Sequence, residues 1–283
     1  MVLSMMNKTR PTAGLVFFAF CLTLAGGIAW AGPYAPAAGV TGTTAIPMDS
    51  RDFVAWATGY ENYLQGAELD VAFAHAQNAL GPAEGNALDV VSLGRGGSIT
   101  LLFAPFADGP GWDFAVFENG FDDTFLELAR VEVSSNGVHF ARFPGRSLTG
   151  APVSGFGAVD PTDVDGFAGK YRQGFGTPFD LSDLAVDPLV ISGDVDLSGI
   201  TRVRLLDIVG NGSELDADGR PIYDPYPTSG SAGFDLDAVG VSGGAPYPAG
   251  VYVPPATPSG NDSAGLGDEG GCFLGVAGRR KSF

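Results

Sequence analysis

The segment Asp216-Ala-Asp-Gly-Arg-Pro-Ile-Tyr-Asp224 holds the residues whose types and spacing most suggest chemistry. Alternating carboxylates, a glycine that permits a tight turn and a further aspartate supply the hard oxygen ligands that Ca²⁺ takes. The pattern departs from an EF-hand loop, because its glycine comes early and Pro227 stands where the bidentate glutamate belongs. Asp235 and Asp237 alternate along an apolar run and therefore share one face. Asp216, Asp218, Asp224, Asp235 and Asp237 form the candidate Ca²⁺ set. The competing reading is a turn-rich acidic loop beside an outward strand face. Asp160, Asp163 and Asp165 before Gly166 make a sparser second set.

Other residues suit ligand contact. Glu118-Asn119 ends an apolar run beside Gly120, where a carboxylate can grip a polar ligand or cap the backbone of its own turn. Trp112, Tyr223 and Tyr226 stand among prolines and glycines, so their rings can stack on a sugar face or plug the end of a domain. Catalytic patterns are scarce. The two histidines, His75 and His139, belong to no nucleophile–base motif, and Gly94-Arg-Gly-Gly97 precedes a strand-like run, not the helix a phosphate loop needs. Glu118 and Asp207 could form a glycosidase pair, but a chain this acidic holds some such pair by chance.

These residues must be positioned by short elements. Gly and Pro fill 63 of 283 positions, while 45 % of the chain is hydrophobic. Frequent breakers in an apolar chain predict many strands joined by turns around one core. Strand-like runs are Ser98–Phe103, Phe114–Phe117, Leu128–Ser134, Thr201–Val209 and Phe234–Val241. Asn136-Gly137 predicts a tight hairpin into a strand over Val138–Phe143. Phe53, Trp56, Tyr60 and Leu64 suggest a short helical face interrupted by Gly59. Pro144 to Gly199 reads mostly as loop, and loops of that length tend to be functional.

Charge and processing narrow the class. The net charge is −17, with 24 Asp against 8 Glu. That surface repels nucleic acid and anionic lipid. Lys8 and Arg10 precede an apolar run from Ala13 to Trp30 that closes on Ala29-Trp30-Ala31, the pattern of a cleaved signal peptide over residues 1–31. Removal leaves Cys272 and no intrachain disulfide. Residues 32–50 read as a leader, 51–243 as the domain and 244–283 as a Gly/Pro/Ser-rich tail. The tail ends in an apolar stretch and a basic cluster like a degenerate sorting signal; about six apolar residues fall far short of the roughly 20 that span a bilayer.

The string VSLGRGGSITLLFAPFADGPGWDFAVFENG, from Val91 to Gly120, resembles secreted bacterial cell-surface proteins of the PEP-CTERM-associated type. ELARVEVSSNGVHFARFPG, FAGKYRQGFGTPFDLSDL, ITRVRLLDIVG, IYDPYPT and GFDLDAVGV follow in the same order, so the resemblance spans about Ala79 to Val241. The sorting motif itself, Val-Pro-Glu-Pro, is absent. VEVSSNGVHF with a later Val-Arg strand is similar to discoidin-like, galactose-binding-like folds. That similarity implies a jelly-roll β-sandwich whose end loops bind glycans or other polar ligands, often beside a structural Ca²⁺. DFAVFENGF and GFDLDAVGV also resemble surface proteins of cobalamin-uptake loci, which implies a corrinoid ligand.

The sequence thus predicts an all-β, single jelly-roll sandwich, exported to the bacterial cell surface or matrix. Its expected role is non-enzymatic, Ca²⁺-supported binding of a polar small molecule or surface polysaccharide. Glu118, Asn119, Trp112, Tyr223 and Tyr226 are the candidate ligand contacts. Cobalamin capture and glycoside hydrolysis are the alternatives. Nucleic acid is excluded as a partner, and no membrane span is expected in the mature chain.

Overall fold

The computed structural model describes residues 31–247; the predicted signal peptide and nearly all of the tail, with Cys272, lie outside the described residues. The strands are β1 (Ile46–Pro47), β2 (Phe53–Trp56), β3 (Gly59–Leu64), β4 (Val91–Ser92), β5 (Ser98–Phe106), β6 (Trp112–Glu118), β7 (Ala129–Ser134) and β8 (Ala141–Arg142). They continue as β9 (Arg146–Ser147), β10 (Val164–Asp165), β11 (Phe175–Phe179), β12 (Ile200–Asp207), β13 (Asn211–Leu215), β14 (Pro221–Tyr223) and β15 (Asp235–Ala245). Among the described residues, helix is confined to short 3₁₀ turns and one four-residue α-helix, Pro188–Ile191, so this part of the chain is all-β.

Two larger antiparallel sheets carry the fold. One runs β1-β11-β6-β15-β2, with β4 also on β15; the other runs β3-β5-β12-β7-β8. From β2 through β7 each strand lies in the sheet opposite its predecessor. Their facing sides meet in one core: Phe114, Val116, Phe179, Leu236 and Val239 from the first sheet against Ile99, Leu101, Val131, Val203 and Leu205 from the second. Central strands β6 and β15 are also covered on their far side, where Trp112, Phe117 and Ala238 pack with Ile46, Phe53 and Trp56. Double coverage is why Asp-Phe-Ala-Val-Phe reads as a continuous run without polar alternation. On the outer face of the second sheet the Glu132 carboxylate accepts from Arg142 Nε at 2.7 Å and Arg204 Nε at 2.6 Å, its cross-strand neighbours.

Several expectations are corrected. Residues 53–64 form two strands, because Gly59 breaks the run and Gly59–Leu64 alternates outward and inward as a half-buried strand does. The Asn136-Gly137 reversal exists, but Val138–Phe140 is not strand and pairing resumes only at Ala141. Asn136 Oδ1 accepts the N–H groups of Val138 and His139, which takes those donors from the ladder. The stretch 144–199 contains β11, a full member of the first sheet, hidden in the sequence by Gly176 and Pro178. Residues 32–50 are built into the domain: Ile46 pairs with Gly176, and Ala38 and Ala45 pack on Tyr171.

Candidate functional site

At one end of the sheets the last residues of β6 and β12 meet the first residues of β5, β7 and β15. Antiparallel pairing dictates this: Leu236 lies opposite Glu118, and Asp207 opposite Ala129. The end therefore collects Glu118, Glu127, Asp207, Asp224 and Asp235, all buried. Among the described residues, no lysine or arginine pairs with any of the five.

Each carboxylate has its own fixings. Glu118 Oε2 accepts the Gly120 N–H at 2.6 Å, a contact that Gly120 permits because a Cβ there would sit 2.8 Å from the same oxygen. Asp224 Oδ2 accepts from Leu128 N at 2.9 Å. Its neighbour Gly210 has φ +75°, and a Cβ on it would lie 1.6 Å from Asp224 Oδ1, so only glycine fits. Asp207 ties two loops together, accepting from Gly96 N and Phe234 N, each at 2.7 Å. Asp235 bonds the Ser92 hydroxyl across the β4–β15 pair. Two oxygens are left over. Glu118 Oε1 and Glu127 Oε1 are buried and have no hydrogen-bond partner.

Burial dominates the electrostatics. It pushes Glu118 well above the usual carboxylate range; the charges of Asp235 and Asp237 add to this, and the N–H groups of Gly120 and Asn119 oppose it. Glu127 is raised in the same way, by burial and then by Glu118, Asp235 and Asp224, against a hydrogen bond with Thr228. Asp207 and Asp235 are each pushed up by burial to about 7. Asp224 is raised by burial first, against the Leu128 N–H, with Asp207 and Glu214 adding to the rise.

Of the predicted metal set, only Asp224 and Asp235 reach this end as part of the cluster. Asp216 Oδ1 accepts from Asp218 N and Arg220 N, and Oδ2 from Ser147 N; Asp218 pairs with Arg220 at 2.8 Å. That turn is held by backbone donors and an arginine. Asp237 receives the N–H groups of Glu84 and Gly85 and pins that loop. The five do not converge on one point. Among the described residues, the one group of three carboxylates with oxygens all within 4.8 Å is Asp108, Asp113 and Asp180, at the opposite end of the sheets. There Asp113 already accepts from Gly109 N and Leu181 N.

The ring candidates also divide. Trp112 is corrected: it opens β6 and is fully buried against Phe53, not displayed on a loop. Tyr223 is half-buried on β14 beside Gly212. Tyr226 is half-buried with the Arg95 guanidinium 5.2 Å from its ring centre, close to the carboxylate end. Asn119 is half-buried and donates to Ala87 O at 3.2 Å. The residues that sequence reasoning missed are Glu127 and three phenylalanines. Phe121 stacks on Phe125 at 4.4 Å, and Phe156 lies 6.1 Å beyond, with interplanar angles of 22° in both pairs. Phe121 is 63 % exposed and Phe156 85 %. Phe121 and Phe125 ride the loop between Glu118 and Glu127, whereas Phe156 comes from the long 148–163 loop. The first two carried a local signal, Gly-Phe-Asp-Asp-Thr-Phe; the third carried none.

Two groups remote from this end add to the pH response of the raised carboxylates already described. Burial pushes Asp113 and Asp183 each up to about 6, with Asp180 adding to both. A carboxyl raised in the folded state holds its proton there while the unfolded chain has lost it, near pH 4. Their contribution is full below pH 4 and is lost as pH rises through 6. Denaturant melts in chelator are therefore expected to show a more stable protein at pH 5 than at pH 7.5. Equal midpoints, or the reverse order, would contradict this assignment.

No protein-family model, curated protein or solved structure matches this chain. Among the described residues, no helix is long and apolar enough to cross a membrane.

Proposed function

We propose that the protein is an exported, non-catalytic binding module of jelly-roll type that takes a glycan on the Phe121–Phe125–Phe156 ring stack. The alternation of successive strands between the sheets supports the jelly-roll reading, and the Ala13–Trp30 run with its Ala-Trp-Ala end supports export. The ring stack carries the functional reading. Phe125 is buried between Phe121 and Phe156, so the outward faces of these two exposed rings offer apolar surface, and the C–H face of a pyranose is its natural complement. Asn119, Asp122, Asp123 and Arg172 flank the rings with groups able to meet sugar hydroxyls; Arg172 also pairs with Asp123. Glu118 and Asp207 do not favour hydrolysis, because Glu118 is 1 % exposed, and a glycosidase acid must touch its substrate.

The test is a glycan array probed with the full mature chain and with F121A/F156A. A glycan retained by the wild type and bound at least about tenfold more weakly by the variant, at unchanged melting temperature, is the expected result. Equal binding by both proteins, or retention of cobalamin and no glycan in a parallel titration, overturns the reading.

A further inference from the structure

We propose that Glu118, Glu127 and Asp235 form a buried site for one Ca²⁺ ion. The argument begins with the two unpartnered oxygens, Glu118 Oε1 and Glu127 Oε1. A buried carboxylate oxygen without a donor is costly, and each of these belongs to an acid crowded by other acids. A neutral donor would relieve one such oxygen. A cation relieves both at once and offsets the Coulomb repulsion between their groups.

The chemistry of the surroundings selects the ion. The Ser92 hydroxyl bonds Asp235, and Asn119 follows Glu118 directly in the chain. Every polar side chain in this shell offers oxygen, and none is histidine or cysteine, so a hard cation is favoured. The donors come from strands and from loops of differing reach. Such an irregular oxygen shell suits Ca²⁺, which accepts six to eight ligands, better than Mg²⁺, which demands near-ideal octahedral geometry. The three carboxylates do not all lie within 4.8 Å of one another. A single ion held by all three therefore requires their oxygens to stand closer together than they do here. The inference is independent of what the rings bind. It has one consequence for them: Glu118 and Glu127 close the two ends of the segment bearing Phe121 and Phe125, so the ion would fix that segment to the sheet end.

The test uses the purified mature chain, stripped with chelator and titrated calorimetrically with CaCl₂ at pH 7.5, with thermal melts in CaCl₂ and in EGTA. One ion per chain is expected, with a rise in melting temperature of about 5–10 °C at a hundredfold excess over Kd. E118Q and E127Q are expected to weaken Ca²⁺ binding at least about tenfold. In EGTA each should melt at or above the wild-type temperature, because one repelling charge is gone. D108N, at the other end of the sheets, is expected to bind as the wild type does. No calorimetric heat and no thermal shift with wild-type protein overturn the site, whether or not the variants fold. Undiminished binding by E127Q, or loss of binding in D108N, likewise overturns it. A glycan-array blank leaves these measurements unaffected, so failure of the ring reading and failure of the ion site are separable.

Discussion

Replacing Phe114 by alanine is expected to destabilise the protein by about 3–5 kcal/mol, the usual cost of emptying a large aromatic site in a packed core. Phe114 is fully buried between the sheets. Its ring stacks on Phe179 at 5.2 Å and meets Phe143 and Phe106 edge-on at 5.8 and 6.0 Å. These partners sit on β11, between β8 and β9, and on β5, so one truncation removes contacts from both sheets. The cavity cannot collapse easily, because each neighbouring ring is also wedged against another; Phe143, for instance, lies 4.9 Å from Phe179. At roughly 2–4 °C per kcal/mol for a domain of this size, the melting temperature should fall by about 10 °C. Phe156→Ala, with its ring in solvent, is the internal comparison and should move by less than about 0.5 kcal/mol. A loss below about 1 kcal/mol for Phe114→Ala would mean that the two sheets do not share this core.

Replacing Asp216 by alanine is expected to cost about 2–4 kcal/mol, by the same amount in CaCl₂ and in EGTA. Asp216 accepts three backbone N–H groups, from Arg220 at 2.8 Å, Asp218 at 2.9 Å and Ser147 at 3.1 Å. Removing the acceptor leaves donors unpaired at a site where the residue is 7 % exposed. Burial by itself would push the Asp216 carboxyl up. The N–H groups of Arg220, Ser147 and Asp218, with the Arg220 charge, outweigh it and hold the group below the ordinary aspartate range. Its stabilising contribution is thus present above pH 4 and lost as pH falls further. Asp218, more exposed and paired only to arginines, should cost less than about 1 kcal/mol on the same change. A loss seen for Asp216→Ala only in Ca²⁺ would show that the hairpin turn is a cation loop.

How much of this was legible in the sequence depends on the range of the interaction. Strands β5, β7, β12 and β15 follow period-two or continuous apolar runs, and such patterns are local. The sequence signal failed where a side chain or a partner outbid it. Asn136 diverted the predicted hairpin through its own carboxamide, and β11 forms despite Gly176 and Pro178 because β6 supplies a partner at Thr177, Pro178 and Phe179. Glu118-Asn119 stood out as a strand end beside a glycine. Glu127 did not, because nothing near Leu126 or Leu128 marks a buried carboxylate. The acidic turn at Asp216 looked like a cation loop because Ca²⁺ loops and Asx-type turns draw on the same residues; which donors meet the carboxylate decides between them, and Ser147 lies 69 positions away.

By itself the sequence determined the all-β class, the central strands and the acidic, breaker-rich character of the connections, since each follows from composition and nearest neighbours along the chain. Only the tertiary structure decided which carboxylates meet. Ser92 and Asp235 are 143 positions apart, and Leu128 and Asp224 are 96 apart. The first pair meets because β15 pairs with β4, and the second because Leu128 bonds Ile208 at the end of β12 while Asp224 bonds Gly210 just beyond it. Strand register is a property of two segments jointly, and no local pattern in either one carries it.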